Sequence, residues 1–127
     1  MTLVDSSGWL EFFTDGPLAG DYAPYFKELR QVVTPTIVLY EVYKTIKRQR
    51  SEEDALAAAA QIGKTQLIPL TDPIALTAAD VSLAHRVAMA DAIVYATALT
   101  TGATLVTSDA DLANLPSVRY FKKSALP

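Results

Sequence analysis

Apolar residues come in two recurring arrangements along this chain: short runs rich in Leu, Val and Ile, and longer stretches with helical spacing. Their alternation predicts an α/β domain with a mostly parallel sheet. Residues 2 to 5 (TLVD) read as the first strand. A helix follows over 6 to 14, capped by Ser6 or Ser7 and ended by the Asp15-Gly16-Pro17 turn. A second helix fits 18 to 30, a short strand 31 to 34, and a helix from about 36 to 49 opened by Pro35. The stretch 51 to 64 starts with Ser51 and the acids Glu52, Glu53 and Asp54, as a capped helix does, and runs through an alanine block to Gly63. Residues 66 to 70 suggest a strand near a sheet edge, because Pro69 has no N–H to offer a ladder. Helices over 72 to 86 and 90 to 101, a strand at 103 to 107, a short helix near 109 to 114 and a strand at 118 to 121 complete the series. The tail from Lys122 to Pro127 is expected to fray.

With 127 residues, 50% hydrophobic and 20% charged, the chain is expected to form a single domain over 1–127 with a substantial core. No apolar run approaches the ~18 residues of a membrane span, and the N-terminus lacks a basic leader, so a soluble cytoplasmic protein is expected. The absence of cysteine removes disulfides, thiolate nucleophiles and cysteine-bound zinc. His85, the single histidine, lies among Leu83, Ala84, Val87 and Ala88 and reads as a packed or surface residue, so no two-histidine acid–base pair can form within one chain. A net charge of −3 and a pI near 5.0 argue against holding nucleic acid by bulk positive field. Setting four carboxylates aside as metal ligands turns that −3 into +1, so a phosphate substrate would meet a neutralised site.

The acids that interrupt apolar sequence carry the chemical information. Leu3-Val4-Asp5 and Leu105-Val106-Thr107-Ser108-Asp109 are buried-strand patterns with a carboxylate at or just past the C-terminal end. Open parallel sheets place their ligands at that edge. Either Asp alone could simply cap the next helix; two together at one rim point to a site. Asp91 opens MADAIVYA, a helix apolar around most of its circumference, where an ionised carboxylate needs a cap role or a cation. Glu41 shares a helix face with Lys44, Thr45 and Arg48, opposite the stripe Leu39, Val42, Tyr43 and Ile46. It reads either as a solvated partner of Lys44 or as a metal ligand with cations nearby to guide phosphates.

Mg²⁺ and Mn²⁺ prefer hard oxygen ligands, and this residue inventory offers little else. A divalent ion would turn the repulsion of crowded acids into binding, and in phosphodiester hydrolysis it lowers the pKa of water and stabilises the displaced oxygens, so no protein nucleophile is needed. Ser7 and Thr107, beside the strand-end acids, are candidates for orienting a carboxylate or water, or for plain capping and packing. The tract Lys44, Lys47, Arg48 and Arg50 is the candidate RNA track, or equally a helix end that favours positive charge.

The segments VDSSGWLEFF, TPTIVLYEVYK, MADAIVYATA and TLVTSDADL, in this order, resemble the four acidic motifs of PIN-domain proteins, and the resemblance spans essentially the whole chain. It is nearest to single-domain VapC-type toxins of toxin–antitoxin pairs. The resemblance implies Asp5, Glu41, Asp91 and Asp109 as the catalytic, metal-binding acids, and Asp111 as a further acidic position and metal ligand that would assist or substitute. Ser7 matches the small polar residue after the first acid and Thr107 the one before the fourth. Ser6 stands where Thr is frequent and Leu112 where an aromatic is frequent; neither touches the acid set. Also implied are a three-layer α/β/α fold, a homodimer, a VapB-type antitoxin that blocks the site, and a structured RNA as substrate. Ile37, Tyr40 and Tyr43, with Tyr22, Tyr25 and Phe26, are candidates for dimer or antitoxin contacts, or for core packing. Two other classes compete. Aspartate-nucleophile phosphatases of haloacid-dehalogenase type also begin with a strand ending in Asp, but carry an acid two residues on, where this chain has Ser7. A non-catalytic α/β interaction module would use its acids only as caps.

Overall fold

Residues 1–123 are described by the structure, a computed structural model. Five strands, β1 (Thr2–Val4), β2 (Val32–Pro35), β3 (Gln66–Ile68), β4 (Thr104–Thr107) and β5 (Val118–Tyr120), form one sheet in the order β3-β2-β1-β4-β5. Every neighbouring pair is parallel. The chain therefore moves outward from β1 in one direction as far as β3, returns across the sheet to β4, and continues the other way to β5. Right-handed crossovers place the connections made before β3 on one face and those made after it on the other. The result is the three-layer α/β/α arrangement that the family resemblance implied, built on the parallel sheet that the sequence pattern predicted. The reversal of strand order falls between β1 and β4, and parallel sheets open a crevice at the carboxyl ends of strands at such a point.

The helices are α1 (Ser6–Phe13), α2 (Ala19–Tyr22), α3 (Thr36–Gln49), α4 (Glu52–Ile62), α5 (Asp72–His85) and α6 (Met89–Thr101). Most follow the expected boundaries. Ser51 caps α4 by accepting from the Asp54 N–H at 3.0 Å, and Thr71 caps α5. Gly102, at φ +69°, ends α6 in the left-handed conformation that glycine adopts without a Cβ penalty. β3 is an edge strand that stops just short of Pro69, as a residue without an N–H requires.

Three local expectations are corrected. The cap of α1 is Asp5, whose side chain accepts from the Gly8 N–H; neither Ser6 nor Ser7 caps it. The single helix expected over 18–30 is α2 followed by two 3-10 turns, Ala23–Phe26 and Leu29–Gln31. Pro24 supplies no N–H to a continuing α-helix, and Glu28 swings to extended backbone at φ −126°, ψ 91°. The helix expected over 109–114 is one 3-10 turn, Ala110–Leu112. Of the tail expected to fray, residues 124–127 lie outside the described residues, while Lys122 and Lys123 are exposed and without regular structure.

Core packing explains why the broken segment is held so firmly. Leu3, Val4, Val32, Val33, Leu105 and Val106 fill both faces of the central strands, and Trp9 and Tyr22 are fully buried against them. Phe26 packs on Trp9 with ring centroids 4.3 Å apart, so aromatic burial compensates for the interrupted helix. Tyr22 and Phe26 read from sequence as partner contacts or as core packing; Tyr22 is fully buried in the core, and Phe26 is partly buried against it. Gly8 lies where a Cβ would overlap the Tyr22 ring and a Val4 methyl. Gly8→Ala should therefore destabilise the protein by about 1–3 kcal/mol, seen as an earlier urea transition, because neither neighbour can retreat without opening the core.

Candidate active site

The register of the sheet assembles the site. Leu3 pairs with Leu105 and Val4 with Val106, so the next rung sets Asp5 beside Thr107 at the carboxyl rim. There the Thr107 hydroxyl donates to Asp5 Oδ2 at 2.6 Å, while Ser7 Oγ and the Gly8 N–H donate to Oδ1 at 2.5 and 3.4 Å. Thr107 Oγ1 in turn accepts from the Asp109 N–H at 2.9 Å, and Asp109 Oδ1 accepts from the Asp111 N–H at 2.9 Å. Both strand-end acids are caps and rim residues at once; the two readings of them are compatible.

α3 and α6 run back from this rim, antiparallel to the strands. Pro35, the last residue of β2, is the N-cap of α3, so Glu41 lies about 7–8 Å down the helix axis, with its side chain leaning back toward the N-terminus. Asp91 is the third residue of α6, whose N-cap is Ala88 with no side-chain cap bond. The cap role considered for Asp91 is therefore not the one it plays.

Carboxylate oxygens of Asp91, Asp109 and Asp111 all lie within 4.8 Å of one another. Asp5 and Glu41 stand outside that triad but close enough to act on it electrostatically. Burial pushes the Asp91 carboxyl up to about 7, reinforced by the charge of Asp109, by a hydrogen bond with Asp109 that requires Asp91 to hold a proton, and by Asp5 and Asp111. Burial likewise raises Asp5, with the Asp109 charge adding to it, although the Ser7 and Thr107 hydroxyls and the Gly8 N–H favour the ion. Glu41 is raised by burial and by the Asp5 and Asp109 charges, and is pulled back by the Ser6 hydroxyl and by Lys44, so Ser6, expected from sequence to leave the acid set untouched, does bear on Glu41.

A second hydrogen-bonded layer, absent from the sequence reading, stiffens this rim. Tyr22 and Ser108 share a buried hydroxyl–hydroxyl bond of 2.6 Å, and the Ser108 N–H donates to Ser7 Oγ at 3.0 Å. Burial and the nearby Asp5 charge push the Tyr22 phenol up to about 12, so it remains a neutral support. Ser108 sits inside the TLVTSDADL segment, but nothing in its spacing marks it, and Tyr22 reads in sequence only as a partner-contact or core residue, not as a support of the acids. Thr107→Val keeps the shape and removes the hydroxyl, leaving Asp5 Oδ2 and the Asp109 N–H unpaired. It should cost about 2–3 kcal/mol in chemical denaturation, and Thr107→Ser should recover most of it.

The basic tract on α3 falls away from the acids. Lys44 is one turn beyond Glu41 and its ammonium lies 5.0 Å from the Tyr40 ring centroid. Lys47 is paired with Glu52 at 3.3 Å and also reaches the Tyr43 hydroxyl, while Arg48 and Arg50 are exposed near the far end of the helix. His85 is exposed at the end of α5.

A cluster of carboxylates with only oxygen donors, one of which holds a proton well above the usual carboxylate range, suits a hard divalent cation that would take the proton's place. A parallel α/β/α domain with such a rim at its strand-order reversal defines the class. The sequence matches the PIN domain over residues 2–118, and the chain belongs to the PIN domain family. A comparison with curated proteins returns no match. Among solved structures, it resembles a chain of a toxin–antitoxin complex from Klebsiella pneumoniae, with a TM-score of 0.82 at 21% identity, covering 97% of this chain and 100% of that one. VapC20 of Mycobacterium tuberculosis, described as a sarcin–ricin loop cleaving toxin, superposes with a TM-score of 0.75 at 20% identity over 94% of this chain and 99% of the other. A chain of VapBC2 from Rickettsia felis, bound to a DNA fragment from its promoter, gives 0.75 at 13% identity, over 95% and 97%.

Proposed function

We propose that this chain is a metal-dependent endoribonuclease and the toxin of a type II toxin–antitoxin pair. The observation that carries the reading is the convergence of Asp91, Asp109 and Asp111, with Asp5 and Glu41 behind them, at the reversal point of the sheet. Membership of the PIN domain family and likeness in fold to toxin components support it.

In this reading Asp91, Asp109 and Asp111 hold Mg²⁺ or Mn²⁺, with Asp5 and Glu41 completing the acid set. The ion, when bound, supplies an activated water and neutralises charge on the scissile phosphate. Ser7 and Thr107 fix the Asp5 carboxylate, and Tyr22 with Ser108 keeps Ser7 in place. Glu41, half-buried and raised in pKa, is suited to hold a proton or a water at the edge of the cluster. Lys44 is the member of the α3 tract best positioned to meet the RNA, with Lys47, Arg48 and Arg50 farther out.

Exposed Leu70, Leu76, Leu83 and Met89 gather along α5 and its flanks. Leu70 and Ile93 line two neighbouring hollows of about 250 and 340 Å³. An apolar surface of this kind supports a protein partner, consistent with a homodimer and with a VapB-type antitoxin. Among the described residues no helix is long and apolar enough to cross a membrane; action in the cytoplasm is part of the proposed toxin role.

The test is cleavage of cellular RNA by pure protein with and without EDTA, set against Asp109→Asn and Asp5→Ala. Cleavage should require added Mg²⁺ or Mn²⁺ and fall at least about a hundredfold in either variant. Activity that persists in EDTA, or in both variants, refutes the metal site. A harmless chain that captures no small partner on expression would refute the toxin role alone.

A further inference from the structure

We infer that a hollow beside the acidic rim, walled by Arg119, Tyr25 and Phe121, seats an unpaired nucleobase of the RNA. The inference rests on the ribonuclease reading above and names where the substrate is gripped. The hollow is open and measures about 510 Å³, within the range of small-ligand sites. The Arg119 guanidinium lies 5.9 Å from the centroids of both the Tyr25 and the Phe121 rings, which are themselves 6.3 Å apart.

Its back wall belongs to the machinery of the rim. The Phe121 N–H donates to the Thr107 carbonyl at 2.9 Å, and Thr107 is the residue that holds Asp5. The Phe121 ring meets the Tyr22 ring edge-on at 5.2 Å, and Tyr22 is bonded to Ser108. The hollow is thus one ring removed from the Tyr22–Ser108 support of the rim. In this proposal a base held here lies on the approach to the carboxylates, and Lys122 and Lys123, both exposed, follow Phe121 as candidates for flanking phosphates.

The chemistry of the wall fits a base. Guanidinium planes and aromatic rings stack on any nucleobase, and Asp21, on the same wall, offers an acceptor for an exocyclic amino group. Among the described residues no carboxylate lies within ion-pair distance of Arg119, so its charge is not consumed by the fold. A cation on an edge strand also deters unwanted strand pairing. That role needs charge alone and gives no reason for two rings beneath the guanidinium. The α3 tract is less well placed, since Lys47 is already paired and the arginines lie at the far end of their helix.

The experiment measures anisotropy of a fluorescein-labelled, mixed-sequence single-stranded RNA of about twelve nucleotides, bound to Asp91→Asn protein so that cleavage does not intrude. Arg119→Ala and Tyr25→Leu should each weaken binding about tenfold with unchanged far-UV circular dichroism. Arg119→Lys, which keeps the charge, should remain several-fold weaker with an unchanged salt dependence, and an RNA carrying abasic sites should bind less tightly than the intact strand. Full rescue by Lys, equal affinity for abasic RNA, or affinity unmoved by all three substitutions overturns the cradle, whatever those changes do to a protein partner. Wild-type cleavage measured in parallel separates the two readings. If the enzyme cleaves and the cradle variants bind normally, the cradle fails alone; if it does not cleave yet they lose binding, the nuclease reading fails and the cradle stands.

Discussion

Asp91→Asn should lower RNA cleavage at least about a hundredfold while raising the thermal midpoint of the metal-free protein at pH 8. Opposite movement of activity and stability is the signature of a residue kept for chemistry at a cost to the fold. Asp91 lies in the first turn of α6 with Asp109 and Asp111 in reach and Asp5 nearby. Its carboxyl retains a proton up to about pH 7 because burial and these charges disfavour the ion. Asparagine keeps the shape, removes one charge from the cluster and can still donate to Asp109. The expected gain at pH 8 is about 1 kcal/mol, or about 3–4 °C in a chain of this size. Loss of activity together with a lower midpoint would instead make Asp91 a structural residue. Unchanged cleavage would remove it from the site.

The second large effect concerns pH and metal together. Asp91, Asp5 and Glu41 all have folded-state pKa values raised above those of an unfolded chain. A folded state that binds protons more tightly than the unfolded one is favoured at low pH, so this contribution is complete below about pH 4 and is lost as pH rises through about 7. The metal-free protein should therefore melt several degrees lower at pH 8 than at pH 5. The difference is on the order of 1–2 kcal/mol, after allowing for solvent screening of the half-exposed Asp91. Mn²⁺ competes with those protons. At a hundred times its dissociation constant it should contribute about 2.7 kcal/mol at pH 8, and far less at pH 5 where the carboxyls are protonated. Calorimetry at both pH values, with and without Mn²⁺, checks the sign. A metal shift equal at the two pH values, or a pH dependence unchanged in Asp91→Asn, would contradict the clustering of charge at this rim.

Much of this molecule is legible in one dimension because its strongest signals are local. A strand of three or four buried residues announces itself as an apolar run, and Ser51 and Thr71 mark their helices through bonds to N–H groups three residues away. The placement of Asp5 and Asp109 at strand ends is equally local, as is the edge position of β3 beside Pro69. Where local rules compete, reading along the chain falters. Residues 18–30 have the composition of a helix, but Pro24 interrupts its hydrogen bonds and the burial of Tyr22 and Phe26 decides the path.

From the sequence alone come the α/β class, the element order, the oxygen-only donor set and the acids worth suspecting, since each depends on residue type and on periods of two or 3.6. The strand order β3-β2-β1-β4-β5, and with it the crevice between β1 and β4, belongs to the tertiary structure. So do the grouping of Asp111 with Asp91 and Asp109, the support of Ser7 by Tyr22 through Ser108, and the meeting of Arg119 with Tyr25. The physical reason is that distances within an element are set by backbone geometry. Distances between elements follow from which apolar faces bury one another, a property of the whole chain that no local spacing encodes.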